Sequence, residues 1–364
     1  MRQWQTVEDC SLSLPCYWKV PLKHSFPWLL TWGACFSNDV KVFVAETAGS
    51  ALVRFLRSAN MQAREAALKS LNQISSYEAS AQILVQVGIL PPLMKDLFTV
   101  GSNSVPMRLK EVSATVLANV VSSGADFEAI PLDHDNQTLV SEDIVHNLLH
   151  LVSNTGPAIA CKLLQVLVGL TSSSTVLNII SAIKSSGATI SLIQFVEAPQ
   201  RDLRMASIKL LRNISPYMGQ ELADALRVTA GQLGSLTKVI SENNGISEEQ
   251  AAAVGLLADL PERDLSLTKQ LLAEGTFNVV ISKVVKIRQG ETRGSRFATL
   301  ISKVLLEFFQ GLPMFWMMNQ ILFPLHGSTI SQHFLPIYFK QMGLIRFRWF
   351  LQWLWKIFLS SQNV

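Results

Sequence analysis

The 364-residue sequence predicts an all-α chain, a solenoid of about five to six stacked three-helix repeats with unrelated aromatic-rich flanks. Three observations predict it. One segment design recurs five times at nearly constant spacing. An apolar helix led by glycine precedes most of the copies. Tryptophan is absent between residues 33 and 315, where Ala, Leu, Ile, Val and Ser dominate in the manner of closely packed helices.

The first element is the flank 1–37, which holds Trp4, Trp18, Trp28 and Trp32 and is expected to be poorly ordered. Glu8 and Asp9 interrupt any secretory leader, and the apolar run PWLLTWGACF (27–36) is too short to serve as one. Cys10, Cys16, Cys35 and Cys161 include no CxxC pair, so neither a disulfide framework nor a structural zinc site is expected, and a reducing compartment is the simpler reading.

The array, residues 38–299, carries the repeats. Its copies are AALKSLNQIS (66–75), VSATVLANVVS (112–122), LLQVLVGLTS (163–172), MASIKLLRNIS (205–215) and AAAVGLLADLP (251–261). Aligned on Ile74, Val120, Leu170, Ile214 and Leu260, they step by 46, 50, 44 and 46 residues. Such periods mark armadillo and HEAT arrays. The glycine-led helices GSALVRFLRS (49–58), GILPPLMKDLF (88–98), GATISLIQFVE (187–197) and GSLTKVISE (234–242) add a second helix to each unit, with the glycine read as the turn before it. A short helix, a glycine turn, a second helix and a long third helix ending at the anchor make an armadillo unit rather than a two-helix HEAT unit.

Local chemistry agrees. Pro106, Pro157 and Pro199 stand at or just before third helices, where a missing N–H is tolerated, and Ser247 with Gln250 forms a capping box. In the third unit DFEAIPLDHDNQ (126–137), acidic and turn-rich, replaces the first helix and is expected to be a surface loop.

The residue before each anchor is Gln73, Asn119, Gly169, Asn213 or Asp259, and four positions earlier stand Lys69, Thr115, Gln165, Lys209 and Gly255, on the same helix face. Their alignment would form a polar ladder along the third helices. The expected partner-binding groove is therefore Lys69, Gln73, Thr115, Asn119, Gln165, Lys209, Asn213 and Asp259, with an ordinary solvated face as the alternative.

The stretches AREAALKSLNQISSYEASAQILVQVGILPPLMKDLF (63–98), MASIKLLRNISPYMG (205–219) and EEQAAAVGLLADLPERDLSLTKQLLAEG (248–275) together resemble the armadillo region of plant U-box ubiquitin ligases, most of all the senescence-associated, large-armadillo type. The resemblance implies an array that holds ubiquitination substrates or a membrane-associated target. In the family a U-box with Cys-Pro-Ile, Asp-Pro-Val and Gly-x-Thr elements recruits the conjugating enzyme. Residues 1–36 contain none of these, so the expectation is an array without its transfer module. The repeat register breaks near Asn38 and near 297–299, as a truncated or spliced product would. A nuclear-import adaptor on the same fold would need Trp–Asn pairs, which the Trp-free interval lacks.

The last element, 300–364, holds 14 of the 30 aromatics and five Lys/Arg against one Asp/Glu. In VLLEFFQGLPMFWMMNQILF (304–323), Glu307 and Pro313 weaken a membrane span; FLPIYFKQMGLIRFRWFLQWLWKIFL (334–359) mixes Lys340, Arg346, Arg348 and Lys356 with Trp and Phe, as a helix lying in a lipid interface does. A cytoplasmic protein is the expectation, with three readings of this tail left open: attachment to the plasma-membrane surface, packing on the open end of the array, or no stable structure. Residues 37–299 carry 23 Lys/Arg against 24 Asp/Glu, which leaves no electrostatic footprint for nucleic acid.

No catalytic or cofactor site is expected. His146 and His150 have a chelating spacing but no third ligand, so a partly buried helix face is expected there. Asp133-His134-Asp135 reads as solvated charge, Cys161 as a small core residue and GETRG (290–294) as a turn without a phosphate-loop lysine.

Overall fold

The computed structural model describes residues 37–100, 105–132, 136–171, 176–229, 231–242, 247–260, 264–276, 278–280 and 282–283. The flank 1–36, the tail 300–364, Asp133-His134-Asp135 and GETRG lie outside them. The chain divides between Ser186 and Gly187 into two compact units.

The first unit contains α1 (Asn38–Leu56), α2 (Met61–Ile74), α3 (Glu78–Gln86), α4 (Leu90–Phe98), α5 (Met107–Val121), α6 (Glu142–Asn154), α7 (Pro157–Leu170) and α8 (Val176–Ser186). Polar caps start the first two: Ser37 Oγ accepts from Val40 N at 3.5 Å, and Asn60 Oδ1 accepts from Gln62 N at 3.0 Å and Ala63 N at 3.2 Å. The third helices α2, α5 and α7 pack one on the next. Their inward faces carry Leu68, Leu71 and Ile74, then Leu117 and Val120, then Leu163, Leu167 and Leu170, none more than 1% exposed. Each such side chain contributes about 1.5–3 kcal/mol relative to exposure, so this seam is what holds neighbouring repeats together.

Glycine turns account for part of the predicted series. Gly88 adopts φ +80° between α3 and α4, a conformation open to glycine at little cost. Gly49 instead lies inside α1, where a Cβ would come within 3.4 Å of Leu84 Cδ2. Its flanks are Ala-rich and periodic, so the helix continues, and the missing side chain serves close packing on α3. Residues 126–132 and 136–138 form no helix, as the composition required; Pro131 and Thr138 make an isolated bridge, and Asn136 adopts φ +57°.

The second unit contains α9 (Thr189–Gln194) with a single 3-10 turn (Phe195–Glu197), α10 (Arg201–Val228), α11 (Gln232–Ser241), α12 (Glu248–Asp259) and α13 (Leu265–Ala273). α10 is two helices joined at a kink: the third helix expected to end at Ile214 extends a few residues past it, to the non-helical Met218 (φ −138°, ψ 36°), and a second helix follows to Val228. Proline removes the bond that its N–H would give to the Arg212 carbonyl; the Ser215 hydroxyl donates to that oxygen at 2.7 Å instead. Gly231 (φ +94°), not Gly234, makes the turn before α11, and Gly234 lies within that helix. The capping box forms: Gln250 N donates to Ser247 Oγ at 3.2 Å, and Ser247 N donates to Gln250 Oε1 at 3.2 Å. α12 packs along α10, and Leu210, Leu211 and Ile214 on one helix and Val254 and Leu256 on the other are buried.

Candidate partner-binding face

In the first unit the ladder positions lie on the outward faces of α2, α5 and α7. Lys69 is half-exposed and pairs with Glu65 Oε1 on its own helix at 3.0 Å; Arg108 reaches the other Glu65 oxygen from α5 at 2.7 Å. The hydrogen bond from Lys69 outweighs the opposing effect of burial and, with the charges of Lys69 and Arg108, holds the Glu65 carboxyl below its ordinary value. Gln73 is exposed. Thr115 turns its hydroxyl back to the Glu111 carbonyl at 2.8 Å, which removes the donor from any partner. Asn119 Nδ2 donates to Ser75 Oγ at 3.1 Å across the α2–α5 boundary. Gln165 stays within α7: Lys162 Nζ donates to its Oε1 at 3.3 Å, and its Nε2 lies 3.7 Å from Cys161 Sγ.

In the second unit Lys209 on α10 pairs with Glu248 Oε1 on α12 at 2.5 Å. Asn213 is half-buried. Asp259 Oδ2 accepts from Ser215 Oγ at 3.5 Å. The last contact repeats that of Asn119 with Ser75: in both, the residue before one anchor meets the residue after the preceding anchor, 44 positions away. Where the ladder has glycine the spacing is used differently. A Cβ on Gly169 would meet Val121 Cγ1 at 2.5 Å, and one on Gly255 would meet the Arg212 side chain at Cζ (2.7 Å) and Cδ (2.8 Å). Asn119, Lys209 and Asp259 thus each reach a neighbouring repeat within their own unit.

Other groups at the same helix boundaries escape sequence reasoning. Glu249 is fully buried and accepts from Arg204 Nε at 2.6 Å and from Arg201 Nε at 3.3 Å. Arg64 on α2 pairs with the buried Asp96 on α4. Burial pushes the Asp96 carboxyl above its ordinary value against the charge and hydrogen bond of Arg64. Lys110, beside them on α5, donates to the Leu97 and Thr99 carbonyls at 3.2 and 2.7 Å; burial lowers its ammonium, and the Asp96 charge opposes that.

His146 and His150 are both exposed rather than partly buried, because Ile144, Val145, Leu148 and Leu149 supply the inward face of α6. Among the described residues no His, Cys, Asp or Glu cluster could hold a metal ion. Cys161 is buried as a small core residue. No single helix among the described residues is long and apolar enough to cross a membrane.

No protein-family profile matches the chain. It is 63% identical over 264 residues to U-box domain-containing protein 43 of Arabidopsis thaliana, covering 72% of this chain and 33% of that protein. U-box domain-containing protein 24 of Oryza sativa subsp. japonica is 55% identical over 284 residues, covering 73% and 34%. The chain therefore spans about a third of the length of the curated relatives it matches. Among solved structures it resembles a designed armadillo repeat protein in complex with the peptide (KR)4, at TM-score 0.50 and 18% identity over 71% of this chain and 98% of that one. A second resemblance is to computationally designed armadillo repeat proteins for modular peptide recognition, at TM-score 0.52 and 17% identity over 71% and 99%. The fold is the all-α armadillo solenoid.

Proposed function

From the premise that the chain is an armadillo-repeat relative of plant U-box domain-containing proteins, we propose that it is a protein-binding scaffold that captures a client segment on the polar faces of its third helices. The observation that supports this most is the identity of 63% over 264 residues to a U-box protein, joined to a fold whose designed counterpart is solved with a peptide. The exposed Gln73 and the half-exposed Lys69 in the first unit, and Lys209, paired with Glu248, with the half-buried Asn213 in the second, are the side chains that would meet a client. Armadillo arrays commonly bind along one surface of the stack because repeated helices present the same positions at regular intervals.

The test is affinity purification from plant extract with the full chain, comparing wild type with Lys69→Ala/Gln73→Ala and Lys209→Ala/Asn213→Ala. Captured proteins should diminish in each variant while the circular dichroism spectrum is kept; capture undiminished in both would refute the scaffold face.

A second reading follows from the names of the relatives: the chain serves ubiquitin-protein transfer as the substrate-holding part of a ligase. Purified chain with activating and conjugating enzymes should form no ubiquitin conjugates by itself, whereas captured clients should be ubiquitinated when a full-length U-box relative carries the same repeats. We also place it in the cytoplasm, peripheral to the plasma membrane through 300–364; fractionation with and without that segment tests the placement.

A further inference from the structure

Three of the four described arginines in the second unit are bound to carboxylates. Arg201 and Arg204 hold Glu249, and Arg227 holds Asp224 and Asp264. Arg212 is the exception: its guanidinium has no hydrogen-bond or ion-pair partner among the described residues. It is nevertheless not loose. Its side chain is half-buried and lies over Gly255 of α12, where any Cβ would collide with it.

Two acids of α12 are engaged by other residues of α10. Glu248 is bound by Lys209 at 2.5 Å, and Asp259, one turn beyond Gly255, accepts from Ser215 at 3.5 Å. A guanidinium always carries its charge and presents a planar fork matched to a carboxylate. Holding the side chain in the Gly255 notch removes in advance part of the rotamer freedom that binding would otherwise cost. A charge-assisted contact at a prepositioned fork is stronger and more directional than one made by a free surface lysine.

We propose that Arg212, seated over Gly255, is the anchor for a carboxylate side chain of an extended acidic client segment. This rests on the scaffold reading and adds the chemistry of its client. Gly255 is then required at its ladder position because even alanine would displace the anchor, a change the flexible arginine can accommodate without unfolding the helix pair.

The test uses the full chain and three fluorescein-labelled ten-residue peptides, (SE)5, (SQ)5 and (SK)5, read by fluorescence polarisation. The acidic peptide should bind most tightly. Arg212→Gln should weaken it roughly tenfold, as expected for loss of one charge-assisted contact, with Arg212→Lys falling between. Gly255→Ala, with Arg212 intact, should weaken it as well, and none of the variants should change (SQ)5 binding. Thermal unfolding of each variant separates a lost anchor from a lost fold. Binding of (SE)5 that is absent, no tighter than (SQ)5, or unchanged in Arg212→Gln overturns the proposal. Preferential binding of (SK)5 overturns it too, while leaving the scaffold reading standing; that reading is judged on its own by the Lys69 and Gln73 variants.

Discussion

Asn119 donates its side-chain amide to Ser75 at 3.1 Å, joining the last turn of one third helix to the C-terminal cap of the third helix before it. Ser75 Oγ in turn donates to the Asn72 carbonyl at 3.2 Å, so the amide completes a short chain of polar contacts at the boundary between repeats. Asn119→Ala should lower stability by about 0.5–1.5 kcal/mol, the net worth of one such bond. Urea unfolding of Asn119→Ala, Ser75→Ala and the double variant should give a coupling of roughly 0.5 kcal/mol or more, and strict additivity would show that the contact carries no energy.

Gly169 occupies the same ladder position, and there the neighbour is Val121, whose Cγ1 lies 2.5 Å from where a Cβ would stand. Alanine would gain up to about 1 kcal/mol in helix propensity but must force a buried, β-branched side chain aside, at about 1–3 kcal/mol. Gly169→Ala is therefore expected to lower the melting temperature. In a Val121→Ala background, where the obstruction is gone, the same substitution should be neutral or stabilising. A loss of equal size in both backgrounds would mean that Val121 is not the obstacle.

These contacts mark where sequence reading succeeds and where it stops. The anchors, caps and prolines are legible because each is a local signal: an apolar period, a side chain that satisfies orphan N–H groups, a residue without a donor. The Lys69–Glu65 pair obeys the same local logic, four residues apart on one helix. Lys209 with Glu248, Arg108 with Glu65 and Ser215 with Asp259 are separated by 39, 43 and 44 residues, and pairing them requires knowing how one helix lies against the next. The two displaced glycine turns fail for a related reason. Gly49 and Gly234 have suitable composition around them, but a glycine inside a helix and one at its start look alike until packing or a neighbouring glycine such as Gly231 decides.

Two carboxyls in the first unit should pull the acid limb of stability in opposite directions. The Glu65 value is lowered by the Lys69 hydrogen bond, so its contribution is present above the ordinary glutamate value and is lost as pH falls through the depressed one. The Asp96 value is raised by burial, so the folded state takes up a proton before the unfolded state does, and acidification through that raised value favours folding. Glu65→Gln should make the decline in stability on acidification shallower, and Asp96→Asn should make it steeper. Denaturant midpoints measured from neutral pH to below the ordinary carboxylate range test both, and slopes shifted in the same direction would contradict this assignment.

The ion pairs at Glu249 offer a graded test of burial. The carboxylate is fully enclosed, Arg204 is 18% exposed and Arg201 is 64% exposed. Arg204 also donates to the Ala198 carbonyl at 3.1 Å, tying α10 to the segment before it. Removing Arg204 leaves a buried charge with only a solvated partner, and the cost should approach the roughly 3–5 kcal/mol of a broken buried pair. Removing Arg201 should cost no more than about 1 kcal/mol, because its guanidinium already exchanges with water. Glu249→Ala should fall nearer the first value, since Arg204 is then left half-buried without a counter-charge. Urea unfolding of the three single variants, checked for an unchanged dependence on denaturant, ranks them; comparable losses for Arg201→Ala and Arg204→Ala would show that the buried carboxylate does not distinguish its two partners.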